Sequence, residues 1–413
     1  MANKFKPISI SLSPNVQKDD VVLALRLLFR PWNWKNGVAI KELESNFKKY
    51  LGVKYAFSFN SGRSSLFAIL KALELQKGSS VLLQAFTCNA VVNPILWADL
   101  NPVYIDCAND FNIAISELKT KNQNSKVLIV QHTFGLPANM DEVLQIAKEN
   151  NMIVIEDCAH ALGAEFSGKK VGTFGDAAFF SFSRDKVISS VYGGMAVTNS
   201  DEIGKKLEAL QKEFGQPSLF WIRQQILHPV LLHFIILPLY NFIDLGKLFL
   251  IFSQWVHILS KAVSWQEKRG ERPDYFPKAL PNALAMMAQN QFNKLEAFNI
   301  HRRQIADFYY QELAGTTFIL PQKESSIFLR FAVQHPKAHE IIYNAWHTEN
   351  ILLGDWYTTA IAPDDTQLPL IKYEPGMCPT AENLAQKTLN LPTHINISMN
   401  DARRIISFLK KYK

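Results

Sequence analysis

The sequence predicts an α/β protein: a large, mainly parallel sheet domain with helices on both faces, plus a smaller C-terminal α/β domain. Three observations carry that expectation. Between about residues 55 and 200, short apolar runs alternate with helical stretches, the pattern of βαβ units. The runs lead into residues that carry chemistry, as parallel strands do where their carboxyl ends meet a ligand. After a long apolar interruption, short strands and helices alternate again over 318–413. A chain of 413 residues, 48% hydrophobic and 20% charged, can bury a core for two or three domains.

Residues 1–50 begin as an extended arm. Residues 21–29 carry the apolar side of one helix, which Pro31, Trp32, Asn33 and Gly37 break. Ile40, Leu43, Phe47 and Leu51 recur at helical spacing and make 39–51 an amphipathic helix. Residues 55–59 read as a strand and 64–75 as the helix after it. Strands at 80–83, 102–105, 126–130 and 152–155 follow, with helices at 89–98 and 140–150. The run from Ala177 and the segment 195–198, entered through Gly193-Gly194, add two strands. Residues 280–314 read as an amphipathic helix with Leu295, Ile300, Ile305 and Tyr309, and 401–412 as the last helix. The expected division is 1–216 (arm and large domain), 217–275 (apolar helical insertion) and 276–413 (long helix and small domain).

The insertion departs from everything around it. Residues 226–243 contain no Lys, Arg, Asp or Glu, and 248–259 are apolar again. The first stretch reaches the lower length limit of a membrane span. Pro229, Pro238, His228, His233 and Asn241 argue against a simple spanning helix. Two helices lying in a membrane interface fit better. Trp221, Tyr240 and Trp255 would then sit at headgroup level, and Arg223, Lys247, Lys261, Lys268 and Arg269 would face anionic lipid. A buried hairpin packed on its own domain or on a partner subunit is the alternative.

The net charge of +7 points to an anionic partner, a nucleotide diphosphate or an acidic membrane surface. With no long basic run and no zinc-finger or aromatic RNA-binding signature, nucleic acid is not expected. Cys88, Cys107, Cys158 and Cys378 show no CxxC spacing, so neither disulfides nor a metal site are expected and a reducing cytoplasm is the default. The opening MANKFKPISISL lacks an apolar core of signal-peptide length, so secretion by that route is not expected.

Lys186 carries the strongest chemical signal. It follows an apolar run, with Ser183 and Ser181 three and five residues before it. About thirty residues upstream, Asp157 stands at the end of the strand at 152–155. A lysine just past one strand and a carboxylate at the end of another suit pyridoxal 5'-phosphate. The amine condenses with the aldehyde, and the aspartate keeps the ring nitrogen protonated so that the ring can draw off electrons. Burial should lower the pKa of Lys186, with Arg184 as a neighbouring cation, and the freed amine is a natural base for proton transfer. Gly62, Arg63, Ser64 and Ser65 open a helix just past the strand at 55–59, where free N–H groups and the helix dipole favour a phosphate. Ser181 and Ser183 can donate to the same phosphate. His160, read on the same helical face as Asp157, is placed to reach the ring oxygen. Phe86 is the candidate to stack on the ring, with Cys88 as its possible neighbour.

Taken together, Ser61-Gly62-x-x-Ser65-Leu66, the Glu156-to-Ala164 segment with Asp157 and His160, and Phe180-Ser181-Phe182-x-x-x-Lys186 resemble signatures of the DegT/DnrJ/EryC1/StrS sugar aminotransferases. Pro102 to Asp106, His132 to Gly135 and Pro379-x-Ala381-Glu382-Asn383-Leu384 continue the resemblance in the family's order. It covers nearly the whole chain outside 217–275. The resemblance implies a fold-type I pyridoxal phosphate-dependent transferase, usually a homodimer with its sites at the subunit interface. It implies transfer of an amino group, typically from glutamate, to a nucleotide-linked keto-sugar. Lys186 would be the Schiff-base lysine, Asp157 the pyridinium partner and His160 the residue beside the ring hydroxyl. Ser181, with the backbone at Arg63 and Ser64, would hold the phosphate. Three positions depart from the pattern. Val191-Tyr192 replace the Gly-Glu before the Gly-Gly pair, Cys88 stands where many members carry a stacking aromatic, and Pro277 and Ala279, with Asn282 nearby, stand where an Asn and an Arg are common.

Overall fold

The apolar runs are buried because they are covered on two faces, as parallel strands must be. The computed structural model describes residues 6–121 and 125–412. Its main sheet has seven strands: β1 (Tyr55–Phe59), β2 (Ser80–Gln84), β3 (Asn101–Ile105), β4 (Val127–Gln131), β5 (Ile153–Asp157), β6 (Ala177–Ser181) and β7 (Gly194–Thr198). Their order is β1-β7-β6-β5-β4-β2-β3. β7 runs antiparallel between β1 and β6, and the pairs from β6 to β3 are parallel. Alternate residues feed opposite cores. Phe180, Met195 and Val197 pack with Leu43 and Phe47 on one face, while Phe179, Ala196 and Ile155 pack with Leu66 and Ile69 on the other.

The register brings the site together. Gly194 lies opposite both Phe59 and Ser181. A Cβ on Gly194 would sit 2.5 Å from the carbonyl carbon of Ser61, and one on Gly62 would sit 2.9 Å from Ser181 Cβ. Only glycine lets the loop after β1 approach β6 and β7 this closely.

Helices α1 (Lys18–Leu28) and α2 (Ala39–Leu51) cover one face, and α3 (Gly62–Ala72) and α4 (Asn89–Trp97) the other. The insertion forms α5 (Leu219–Leu231), a turn of π-helix at Leu232–Ile236, and α6 (Leu245–Trp255). The stretch read as a single helix at 280–314 is two helices, α7 (Asn282–Phe292) and α8 (Leu295–Leu313). The break coincides with Lys294, which reaches across to Asp19 and Asp20 of α1 at 2.8 and 3.1 Å. α8 leads into a smaller layer, where strands β8 (Phe331–Gln334) and β9 (Thr388–Leu391) pair antiparallel over their own core.

The insertion is half inside and half outside. In α5, Trp221, Ile222 and Ile226 are buried in the main core. Trp221 lies beside Tyr192 and Tyr275, not at a surface as expected, because α5 docks on the large domain. Leu219–Ile236 is the one helix among the described residues long and apolar enough to cross a membrane, and 56% of it is buried. Elsewhere in the insertion the side chains are open: Phe234 at the end of this segment, then Ile243, which is 79% exposed, Leu248, Ile251, Phe252 and Trp255, which is 74% exposed. Arg223 and Lys261, on either side of this stretch in the sequence, are exposed.

Candidate active site

Strands β1, β4, β5 and β6 lead into one site. Asp157 ends β5, Ser181 ends β6, Gln131 ends β4, and Gly62 opens α3 just past β1. They line one cavity of about 140 Å³, and Arg63, Cys88, His160, Ser183 and Lys186 line it too. Two expected residues do not. Ser64 is fully buried and gives its N–H to the Ser61 hydroxyl at 3.0 Å and its own hydroxyl to Asn60 Oδ1 at 2.7 Å. It locks the loop and presents no donor to a ligand. Phe86 adopts φ 62°, and its ring packs in the core 5.2 Å from Phe111 and 5.4 Å from Tyr357. The next two residues, Thr87 and Cys88, are the ones that line the cavity.

Lys186 sits in a loop fixed from outside the sheet. Asn15 of the arm donates to Lys186 O at 2.6 Å and to Val187 O at 3.1 Å. Arg302 of α8 is fully buried and donates to Val187 O at 2.8 Å and to Asn15 Oδ1 at 3.1 Å. Burial pushes the Lys186 amine down to about 8, with Arg330 adding to the effect. The cation responsible is therefore Arg330 of the small domain and not Arg184, the one expected.

Burial raises Asp157 to about 6, against the Ala159 N–H that its Oδ1 accepts at 2.9 Å. A buried carboxyl in this state gains most from a cationic partner. His160 lies in a turn, not on a helix, and burial, with Lys186 and Arg330 nearby, holds it well below its usual pKa. Its Nδ1 accepts the Phe134 N–H at 3.3 Å, which leaves the proton of the neutral ring on Nε2.

Several residues at the site gave no local sequence signal. Trp356 lines the cavity and stacks on His160, centroids 5.3 Å apart. The guanidinium of Arg330 lies 3.4 Å from the Trp356 ring centroid on one side, and Lys186 Nζ lies 4.8 Å from it. The end of the insertion also reaches the cavity through Ala262 and Val263. Tyr192 Oη donates to Ala262 O at 3.1 Å and to Lys261 O at 2.5 Å. Arg63 donates to Ala262 O at 2.9 Å and forms an ion pair with Glu267, which is fully buried. The unexpected Tyr192 is thus the dock for the insertion. Asn282 is committed within its own chain, accepting the Ala39 N–H at 3.2 Å and donating to Asn33 O at 2.8 Å.

The lining suits a phosphate-bearing pyridine aldehyde. It offers an amine with a lowered pKa, a buried carboxyl, and serine hydroxyls beside a helix start that two glycines let close. A fold-type I sheet with this lining defines a pyridoxal phosphate-dependent enzyme. The sequence model of the DegT/DnrJ/EryC1/StrS aminotransferase family matches residues 16–221 and 266–410, and the chain belongs to that family. The match omits residues 222–265, most of the insertion.

Among curated relatives, a UDP-N-acetyl-3-dehydro-alpha-D-glucosamine 3-aminotransferase of Acidithiobacillus ferrooxidans is 25% identical over 400 residues, 95% of this chain and 94% of its own. A GDP-perosamine synthase of Vibrio cholerae is 25% identical over 401 residues, 92% of each chain. The solved structure of Helicobacter pylori PseC, an aminotransferase involved in the biosynthesis of pseudoaminic acid, superposes with a TM-score of 0.75 at 21% identity. That match covers 98% of this chain and 99% of PseC.

Proposed function

We propose that this enzyme transfers an amino group from glutamate to a nucleotide-linked keto-sugar for cell-surface polysaccharide or glycolipid synthesis. The observation that carries the reading is the shared cavity of Lys186, Asp157 and His160. Bound pyridoxal phosphate supplies an aldehyde that exchanges amino groups and a ring that spreads negative charge. Lys186 is the residue that would hold it. With its pKa near 8, roughly a tenth of the amine is neutral at pH 7, against less than a thousandth at the ordinary value. The same Nζ is the base that would move protons at the substrate carbon. Asp157 would face the ring nitrogen, and His160 Nε2–H would donate to a ring oxygen. Ser181, Ser183 and the N–H groups of Gly62 and Arg63 would hold the phosphate, since a helix start leaves those N–H groups without intrahelical acceptors.

Two further parts of the reading concern where the enzyme works. The open apolar side chains of 234–255, flanked in sequence by exposed Arg223 and Lys261, fit docking on the anionic inner face of the membrane from the cytoplasm. The working unit in this reading is a homodimer, as the family resemblance implies. The test is spectroscopic. Purified protein with pyridoxal phosphate should show visible absorbance of lysine-bound cofactor, convert to the amine form with glutamate, and return on addition of a UDP- or GDP-linked keto-sugar. Failure to convert with glutamate would sink the aminotransferase reading. Return with no nucleotide sugar would point to a lipid-linked substrate. Flotation with anionic vesicles tests the docking, which fails if the chain with and without 234–255 partition alike. Light scattering at the mass of one chain would refute the dimer.

A further inference from the structure

The phosphate end of the cavity has a charge problem. A phosphate monoester carries close to two negative charges near pH 7. Three cationic side chains line the cavity: Arg63, Arg184 and Lys186. The Arg63 charge is neutralised by its ion pair with buried Glu267. Lys186 is needed for the aldehyde. Arg184 remains, and among the described residues it has no carboxylate within ion-pair distance.

Its guanidinium is held by one end. Nη2 donates to Ser260 O and to Ser260 Oγ, both at 2.7 Å. The Ser260 hydroxyl is itself fixed by donating to Gln225 Oε1 of α5 at 2.7 Å. No acceptor for the rest of the guanidinium lies among the described residues, and Nε is buried without a partner. The residue stands beside Ser183 and shares the cavity wall with Ser181 and Gly62. A guanidinium anchored at one nitrogen and short of acceptors at the others is pre-set for a bidentate oxyanion.

We propose that Arg184 is a ligand of the cofactor phosphate, oriented by Ser260, so that the insertion supplies part of the phosphate subsite from within the same chain. The inference rests on the pyridoxal phosphate reading and goes beyond it. It gives residues 222–265 a role at the catalytic centre as well as at the surface. It also accounts for Tyr192, whose hydroxyl pins the next two residues of the same strap.

The experiment compares two ligands that differ only in the phosphate. Affinity for pyridoxal phosphate and for phosphate-free pyridoxal is measured by absorbance titration on wild type, Arg184→Gln, Arg184→Lys and Ser260→Ala, with circular dichroism as a check on folding. In Arg184→Gln, pyridoxal phosphate affinity should fall 10- to 100-fold while pyridoxal affinity stays within twofold. Ser260→Ala, which keeps the carbonyl, should lose three- to tenfold for the phosphate ligand alone. Arg184→Lys should recover part of the loss. Equal losses for both ligands, or none for either, would overturn the assignment, as would wild type binding the two equally well. A wild type that binds neither ligand would instead refute the cofactor reading beneath it. If Arg184→Gln fails to fold, the Ser260→Ala comparison decides.

Discussion

Replacing Glu267 by alanine tests whether the join between insertion and site is electrostatic. Glu267 is fully buried and Arg63 nearly so. The change strands the Arg63 guanidinium, still tied to Ala262 O and lying 5.0 Å from the Phe276 ring. It also removes the acceptor for the Ser264 N–H, bonded to Oε2 at 2.8 Å. Breaking one side of a buried pair costs about 3–5 kcal/mol, because the remaining charge stays desolvated and unpaired. A chain of 413 residues unfolding as one unit has an unfolding entropy of about 0.9 kcal/mol/K. The melting temperature of the cofactor-free protein should therefore drop by about 3–6 °C. The matching control is the double variant Arg63→Met with Glu267→Leu, which removes both charges at similar volume and should regain most of the loss. Thermal melts followed by circular dichroism, with urea titrations beside them, read both effects. A single variant as stable as wild type, or a double variant no better than the single, would refute the argument.

Other outcomes follow from the same geometry. The rate at which Lys186 captures pyridoxal phosphate should rise with pH and level off with a midpoint near 8; a midpoint near 10 would contradict the burial of the amine. Lys186→Met should stabilise the cofactor-free protein at pH 6–7, by roughly 3 kcal/mol at most, since the folded state bears the cost of a buried charge there. That gain should shrink as pH climbs from about 8 toward 10.5, where the folded lysine sheds its proton before the unfolded one and wild-type stability recovers. Trp356→Ala should admit water beside Nζ and move the capture midpoint up by about one unit, read from the same pH–rate curve. Gly62→Ala should weaken cofactor binding about tenfold or more in titrations with the fold intact, because its Cβ would press on Ser181 at 2.9 Å.

The sheet was legible because each strand is a short apolar run that hands over to a polar residue at its carboxyl end. Asp157, Ser181 and Lys186 stand at or just beyond such ends, so the core of the site could be read with the strands. The misreadings have local causes. Phe86, Thr87 and Cys88 are adjacent, and nothing in their order reveals that φ at Phe86 turns its ring into the core. Ser64 looks like an anion donor for the reason that it is a good capping partner. Trp356, Arg330, Asn15 and Arg302 come from far along the chain and obey no local period. Arg330 did leave one trace, a lone charge inside the apolar run 327–333, which can be buried there only beside something that repays it. The insertion announced its apolar surface plainly, but its return to the cavity at 260–263 lies in irregular backbone that hydrophobic periodicity cannot see.

The clasp of Asn15 and Arg302 on the Lys186 loop sets an order of events during synthesis. By the time β7 leaves the ribosome, Asp157, His160, Ser181 and Lys186 are all present. The loop bearing Lys186 still lacks α8, more than a hundred residues downstream. Nascent chains therefore carry the site's chemical groups for many seconds without its shape. A message cut short within the insertion yields a chain that carries Asp157, His160, Ser181 and Lys186, with Asn15 present to hold the lysine loop but without the Arg302 that holds both.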